Sequence, residues 1–249
     1  MRSEKKSLRK TADDIFIIRY FYLIVWYMVL QMAILVTGCG SYGNVQFNPS
    51  WEAIRDGRLT IDREGWKIIP TKIDPTYDAA NKFGEMYGHV WKKYDRVVVV
   101  HLEFEPNNKS FLRFEQFARD GPYIKEDIDS YAPHANLNYS IEAKYVSVPP
   151  TFNSRLETSL NLDLICDKLN SLHKEGKIAL LAKKSTDAGL HVGEYLYYRS
   201  LISTSRRVVF IYVPDVVNFG LIDITLALKH AIELIIDHYR DNTCEPRLR

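Results

Sequence analysis

The sequence predicts an α+β protein in which helices pack on a mostly antiparallel sheet, as a single domain after an N-terminal leader. Three observations predict this fold class. The chain has 249 residues, of which 46% are hydrophobic and 26% charged, as is typical of a globular protein. Apolar residues recur at helical spacing in some segments and alternate with polar residues in others. Short, hairpin-type links join these segments, which favours α+β over a regular βαβ order.

In the first half of the chain after the N-terminal leader, each predicted element has its own sequence signal. Strands are predicted at residues 58–62 and 66–69 because β-formers flank a Glu-Gly turn. A helix follows, with Asp74 as cap and apolar residues every three to four positions up to Tyr94. A strand at 96–105 alternates its faces, and a turn at 106–109 predicts a hairpin with a returning strand that ends at Phe117.

The second half is predicted in the same way. Residues 119–136 are predicted as a surface loop or a short helix, and a strand at 138–148 ends before two prolines. Apolar spacing predicts helices near 159–176 and 221–239. Runs rich in β-formers predict the remaining strands, at 178–183, 194–201 and 208–213.

The charge distribution argues against nucleic-acid binding. The formal charge is +2 for the whole chain, but the first 38 residues carry six Lys and Arg against three Asp and Glu. The remaining residues therefore hold 27 basic and 28 acidic side chains, a charge of −1. Phosphate binding requires a concentrated basic surface, and this composition does not supply one.

The N-terminal leader contains the longest apolar run, residues 15–36. Its end, Leu35-Val36-Thr37-Gly38-Cys39, places an aliphatic residue three positions before a cysteine, with two small residues between. In this respect residues 1–41 resemble a bacterial lipoprotein precursor. The resemblance implies cleavage before Cys39, attachment of a lipid to its thiol, and anchoring in the bilayer. Gly40, where an Asp would retain the protein in the inner membrane, implies an outer-membrane location facing the periplasm.

The domain boundaries follow from that interpretation. Residues 1–38 are predicted as a signal peptide, 39–56 as lipidated cysteine and tether, and 57–249 as the α+β domain. The alternative is a single-pass signal anchor that keeps its helix, since the run is also near the length that spans a bilayer. In both cases the basic start stays on the cytoplasmic side.

Few residues of the exported part suggest chemistry. Cys166 and Cys244 are a possible disulfide pair in an oxidising envelope, or a buried thiol and a free one. His101 and Glu103 share one face of a strand and are weak candidates for a polar site, with a solvated strand edge as the alternative. Common metal, P-loop and nucleophile-elbow motifs are absent from the sequence, so no cofactor and no metal are predicted.

The sequence therefore predicts a membrane-anchored envelope lipoprotein with a non-catalytic binding or structural domain. Its expected partners are the bilayer, through acylated Cys39, and an envelope protein or peptidoglycan. Two alternatives stay open: a lipid-anchored hydrolase with an unrecognised site, and an inner-membrane subunit held by an uncleaved helix.

Overall fold

The computed structural model describes residues 32–41, 45–91, 97–106, 108, 110–133, 154–204 and 206–243. Five α-helices lie within these ranges: α1 (Pro49–Glu52), α2 (Tyr77–Trp91), α3 (Leu162–Lys174), α4 (Val192–Ser203) and α5 (Leu221–Thr243). The strands are β1 (Met32–Cys39), β2 (Trp66–Ile73), β3 (Val97–Phe104), β4 (Phe111–Glu115), β5 (Phe117–Arg119), β6 (Arg155–Glu157), β7 (Leu181–Ser185) and β8 (Val208–Val213). No helix in these ranges combines the length and apolar composition needed to cross a bilayer.

Six strands form the central sheet, in the order β2-β1-β3-β8-β4-β7, and β5 pairs with β6 in a small antiparallel ribbon. The predicted packing of helices on a sheet in one domain is confirmed. The strand directions differ from the prediction, because four of the five pairings in the sheet are parallel and only β4–β8 is antiparallel. Parallel neighbours need crossover connections, and α1 and α2 supply them between β1, β2 and β3.

Helices cover both faces of the sheet. On one face α1, α3 and α5 enclose a core that includes Ile34, Val100 and Ile232. On the other face α2 and α4 pack over Leu35, Val99 and their neighbours. The alternation predicted for residues 96–105 is therefore present, but both of its faces are buried.

The end of the predicted leader is a central strand of this sheet. β1 pairs with β2 on one side and β3 on the other, and Ile34, Leu35 and Val36 are at most 2% exposed. The predicted boundary between residues 38 and 39 falls inside β1, so residues 32–38 belong to the domain. Residues 1–31 lie outside the described ranges.

The described residues of the predicted tether, 39–41 and 45–56, are also part of the folded domain. Asn48 caps α1 by accepting a hydrogen bond from Ser50 N, and its side-chain amide donates to Gly40 O at 3.1 Å. Ser50, Ala53 and Ile54 are at most 1% exposed. Residues 45–56 therefore pack against β1 instead of linking the domain to a membrane.

Three further predictions about individual elements need correction. The segment 194–201 is helical, within α4, and not a strand. Residues 58–62 form no strand. β3 and β4 do not form a hairpin, because β8 lies between them. The predicted strand at 138–148 lies outside the described residues.

Gly38 is required by the close approach of α1 to β1. A Cβ atom at this position would lie 2.6 Å from Ser50 O and 2.7 Å from Trp51 Cα, both backbone atoms that cannot move independently. We expect Gly38→Ala to lower the free energy of unfolding by about 2–3 kcal/mol, as overpacked cores do. Urea denaturation measures this loss. Gly220→Ala is the control, since its Cβ would meet only Asp223 Oδ2 at 3.5 Å, and equal stability of the two variants would contradict this packing.

Candidate active site at the carboxyl edge of the sheet

Two neighbouring cavities lie where the parallel strands end. The main cavity, of about 520 Å³, borders the ends of β3 and β8 and the first turn of α4. The small cavity, of about 30 Å³, lies between the ends of β1 and β3. From β1 the chain passes to β2 on one side of it, and the later strands β3 and β8 are added on the other side. The strand order therefore reverses between β1 and β3. Ligands of open parallel sheets bind in the crevice at such a reversal.

Glu103, near the end of β3, lines both cavities. Its side chain is 17% exposed and its Oε1 lies 3.7 Å from His191 Nδ1. Burial raises the pKa of this carboxyl above its ordinary value of 4.5 and Glu105 adds to the rise, while the guanidinium of Arg113 opposes it. A carboxyl group with a raised pKa exchanges protons at a pH closer to neutrality.

The carboxylate of Glu103 occupies space that a side chain at position 193 would fill. An ideal Cβ atom built on Gly193, in the first turn of α4, would lie 1.7 Å from Glu103 Oε2. Only glycine therefore leaves room for this carboxylate at the amino end of α4. The partial positive charge of a helix N-terminus favours a carboxylate there.

His191 caps α4 and is held in one tautomer. Gly193 N donates to His191 Nδ1 at 3.0 Å, so Nδ1 is an acceptor. His191 Nε2 lies 2.5 Å from Tyr212 Oη, whose hydroxyl donates to Ala188 O at 2.7 Å. Because that hydroxyl proton is already used, Nε2 carries the proton that joins His191 to Tyr212. Burial raises the pKa of Tyr212 well above 10, which keeps it protonated.

The turn before α4 is braced by a buried ion pair. Glu194 is fully buried and accepts hydrogen bonds from Leu190 N at 2.6 Å and from Arg119 N and Nε at 2.8 Å. Arg119 Nη2 also reaches Asp187 at 2.6 Å. Leu190 adopts a positive φ of 52°, which is costly for a branched side chain unless its surroundings hold it. Glu194 therefore positions His191 at the main cavity and Gly193 at the small cavity.

Arg113 forms one wall of the main cavity. Its guanidinium donates to Glu105 at 2.6 Å and to Glu115 at 2.8 Å, and it lies 4.3 Å from the centre of the Tyr212 ring. Glu115 is fully buried, and this burial raises the pKa of its carboxyl despite the neighbouring arginine. The cavity wall thus contains a cation that is held by two carboxylates and an aromatic ring.

Cys39 ends β1 beside the small cavity, and its backbone N–H donates to Ser50 Oγ at 3.0 Å. Burial strongly raises the pKa of its thiol, and Glu103 and Asp74 raise it further. The thiol is therefore protonated and a poor nucleophile at neutral pH. The predicted lipidation of Cys39 is wrong, because cleavage before this residue would remove the rest of a central strand.

The two predicted strand residues have different environments. His101 and Glu103 share a face of β3, but only Glu103 lines a cavity. His101 is fully buried between Thr37 Oγ1, at 2.7 Å from Nδ1, and Ser200 Oγ, at 2.8 Å from Nε2. It joins β3 to β1 and α4. The alternative of a solvated strand edge is therefore wrong for both residues.

The other cysteines lie away from the cavities. Cys166 is buried in α3 and has no disulfide partner among the described residues. Cys244 lies outside the described residues, so its pairing with Cys166 stays a prediction. Within the described ranges, no cluster of three His, Cys, Asp or Glu residues could hold a metal ion.

Sequence reasoning missed His191, Arg113 and Tyr212. Their positions in separate elements are brought together by the sheet order, which the sequence did not reveal. One local signal was present: Gly189-Leu-His191 precedes an apolar segment, as a turn and cap precede a helix. Because residues 194–201 were predicted as a strand, this helix-start signal was not recognised.

Comparison with known proteins shows similarity to peptidases. The chain is 21% identical to human pyroglutamyl-peptidase 1 over 208 residues, which covers 83% of this chain and 91% of the relative. For the mouse protein of the same name the identity is 21% over 184 residues, 74% of this chain and 79% of the relative. No family model matches the chain.

Solved structures agree with the sequence comparison. Pyroglutamyl peptidase I of Bacillus amyloliquefaciens has a TM-score of 0.63 at 20% identity, and the match covers 83% of this chain and 98% of that one. A variant of the pyrrolidone carboxyl peptidase of Pyrococcus furiosus has a TM-score of 0.62 at 20% identity, covering 83% and 99%. At this level of identity the match establishes a shared α/β fold.

These findings overturn the lipoprotein interpretation. The chain matches peptidases along most of its length, so the prediction of a non-catalytic binding or structural domain is wrong. The predicted lipid anchor and outer-membrane location are wrong as well, since they depended on Cys39, which belongs to the folded sheet. An envelope protein or peptidoglycan as partner stays a prediction. The chain shares the α/β fold of pyroglutamyl peptidases.

Proposed function

We propose that this protein is a peptide hydrolase whose active site is the main cavity, with Glu103 as the general acid and base. The similarity to peptidases supports the reaction class. The observation that carries the proposal is the carboxylate of Glu103 at the first turn of α4, where its pKa is raised and it faces a cavity large enough for an amino-acid residue. The names of the relatives suggest pyroglutamyl peptides as the first substrates to test.

Water is the nucleophile that this geometry favours. Cys39 is the one thiol among the described residues that line either cavity, and its raised pKa keeps it protonated. Glu103 as carboxylate accepts a proton from water while the water oxygen bonds to the substrate carbonyl carbon. The same proton then passes to the leaving nitrogen as the carbon–nitrogen bond breaks. Atoms and charge therefore balance without a covalent intermediate.

Two local positive groups suit the second requirement, stabilisation of the oxyanion, although the cavity as a whole is acidic. Arg113 lines the cavity and remains charged, and the amino end of α4 points toward the floor. His191 serves as a positioning residue, because both of its ring nitrogens are already engaged by Gly193 N and Tyr212. It fixes the helix end against which Glu103 rests.

Substitution of Glu103 tests this proposal. We expect the full chain to release aminomethylcoumarin from alanyl or pyroglutamyl amides, and Glu103→Gln to lower kcat by about 100-fold because an amide cannot exchange the proton. The pH profile of kcat/KM should rise with pH through a pKa above 4.5, since the carboxylate form is the base.

Glu64→Gln is the matched control, because it removes the same charge from an exposed position away from both cavities. It should keep full activity. If the unmodified protein released no fluorophore from either substrate, the proposed hydrolase activity would be wrong. Equal activity of Glu103→Gln and the unmodified protein would instead remove Glu103 from the mechanism.

A further inference from the structure

The main cavity has an excess of acidic side chains. Two cations, Arg113 and Lys125, line it. The carboxylates that line it are Glu103, Glu105, Glu126, Asp127 and Asp187. A concave surface with this balance concentrates a negative potential, because its low-dielectric walls screen charges poorly.

Most of these charges already have partners within the protein. Arg113 is held by Glu105 and Glu115, and Lys125 Nζ donates to Gly189 O at 2.7 Å. Asp187 accepts from Arg119 at 2.6 Å. Asp127 accepts from the backbone N–H groups of Tyr77, Asp129 and Tyr131, and so closes the loop that forms the outer wall.

Glu103 differs from the other carboxylates. Within the described residues, the nearest basic atom is His191 Nδ1 at 3.7 Å, and that atom accepts from Gly193 N and has no proton to offer. The Glu103 carboxylate is thus largely buried at the floor of the cavity without a hydrogen-bond donor beside it. Burying a charge in this way costs several kcal/mol unless a partner compensates.

We infer that the cavity selects a ligand whose inserted end carries a positive charge, namely the free α-ammonium group of a peptide. An ammonium supplies three donors and the opposite charge to one oxygen of Glu103, which leaves the other oxygen to accept the proton of water in the proposed reaction. Phe104, Pro106 and Ile128 line the same cavity and offer apolar contact to the first side chain. This inference rests on the proposed function and names its substrate class: peptides with an unblocked amino terminus, in preference to a neutral pyroglutamyl ring.

Binding measurements separate this inference from hydrolysis. Alanyl-alanine amide, its N-acetyl form and pyroglutamyl-alanine amide would be titrated into the full chain at pH 7 by calorimetry. We expect the free amine to bind at least ten-fold more tightly than the two neutral peptides, as a charge-assisted hydrogen bond to a buried carboxylate provides. Glu103→Gln should abolish the preference, whereas Glu64→Gln, with the same change in net charge, should keep it.

Equal or tighter binding of either neutral peptide overturns the inference, as does a failure of all three peptides to bind. A preference that survives Glu103→Gln also overturns it. The two proposals fail separately: cleavage of pyroglutamyl amides with no preference for the amine leaves the hydrolase and removes the ammonium site. Selective binding of the amine without turnover keeps the ammonium site and removes the hydrolase.

Discussion

Replacing His101 with leucine is expected to lower the free energy of unfolding by about 4 kcal/mol at pH 7. The imidazole is fully buried and bonded at both nitrogens, to the hydroxyls of Thr37 and Ser200. Leucine fills similar space but leaves both hydroxyls without this partner. Each buried polar group left unsatisfied costs about 1–3 kcal/mol, and the connection of β3 to β1 and α4 is lost with them.

The difference in unfolding free energy between the unmodified protein and His101→Leu should become smaller in acid. Burial lowers the pKa of His101 to about 3, from an ordinary value of 6.5. Below pH 6.5 the unfolded chain therefore binds a proton at this position that the folded chain does not bind until about pH 3. The contribution of neutral His101 to stability is full above pH 6.5 and is lost as the pH falls. Between pH 7 and pH 4 the difference between the two proteins should narrow by roughly 3 kcal/mol.

Urea denaturation of both proteins at several pH values measures this difference, and other titrating groups cancel because both chains contain them. His230→Leu is the control, since His230 lies partly exposed on α5 and its loss should change stability little. A constant difference between the unmodified protein and His101→Leu across the pH range would show that His101 titrates normally in the folded state.

The behaviour of β1 explains why the leader prediction failed. Strands of a parallel sheet covered on both faces have few polar residues, so they appear in a sequence as continuous apolar runs. Met32–Cys39 is such a strand, and it directly follows another apolar stretch. Together they have the length of a membrane segment. Gly38 allows α1 to approach one face of β1, and Thr37 bonds to His101 on the other face. The same two small residues satisfy the pattern of a lipoprotein precursor.

Helices were predictable where one of their faces meets solvent. The helices at 77–91, 162–174 and 221–243 were expected from apolar spacing, with ends shifted by a few residues. α4 has no such face: Tyr195, Leu196, Tyr197 and Leu201 are all buried, between the sheet, α2 and β5. Its aromatic content therefore indicated a strand. The strand at 208–213 matched its prediction, since its entire length is buried and bounded by turns.

The candidate site was only partly accessible from sequence. Glu103 could be selected because it shares one face of a predicted strand with His101. The residues around Glu103 could not be predicted, because Gly193 and His191 are about ninety positions away in the sequence. They approach Glu103 only through the β3–β8 pairing and the packing of α4. Glycine has no side chain to suggest a function, yet its position decides where the carboxylate lies.

Gly193→Ala is expected to reduce hydrolysis by about 1,000-fold while changing stability by less than about 1 kcal/mol. The new methyl group would lie 1.7 Å from Glu103 Oε2, so the carboxylate must rotate away from the end of α4. The atoms it meets belong to side chains, the carboxyl of Glu103 and Cε1 of His191 at 2.9 Å, and not to the backbone. Alanine also favours the helix more than glycine does, so the fold tolerates the change. Activity falls further than in Glu103→Gln because the new Cβ would also lie 2.9 Å from Cε1 of His191, the positioning residue at the main cavity.

A double-mutant cycle distinguishes this mechanism from a general disturbance of the site. If alanine acts by displacing Glu103, then adding Glu103→Gln to Gly193→Ala should cost no further activity, because the carboxylate has already left its position. Measured kcat/KM values for the four proteins, with urea denaturation to verify folding, complete the cycle. Additive losses would mean that Gly193 and Glu103 act independently, and the contact between them would then have no part in catalysis.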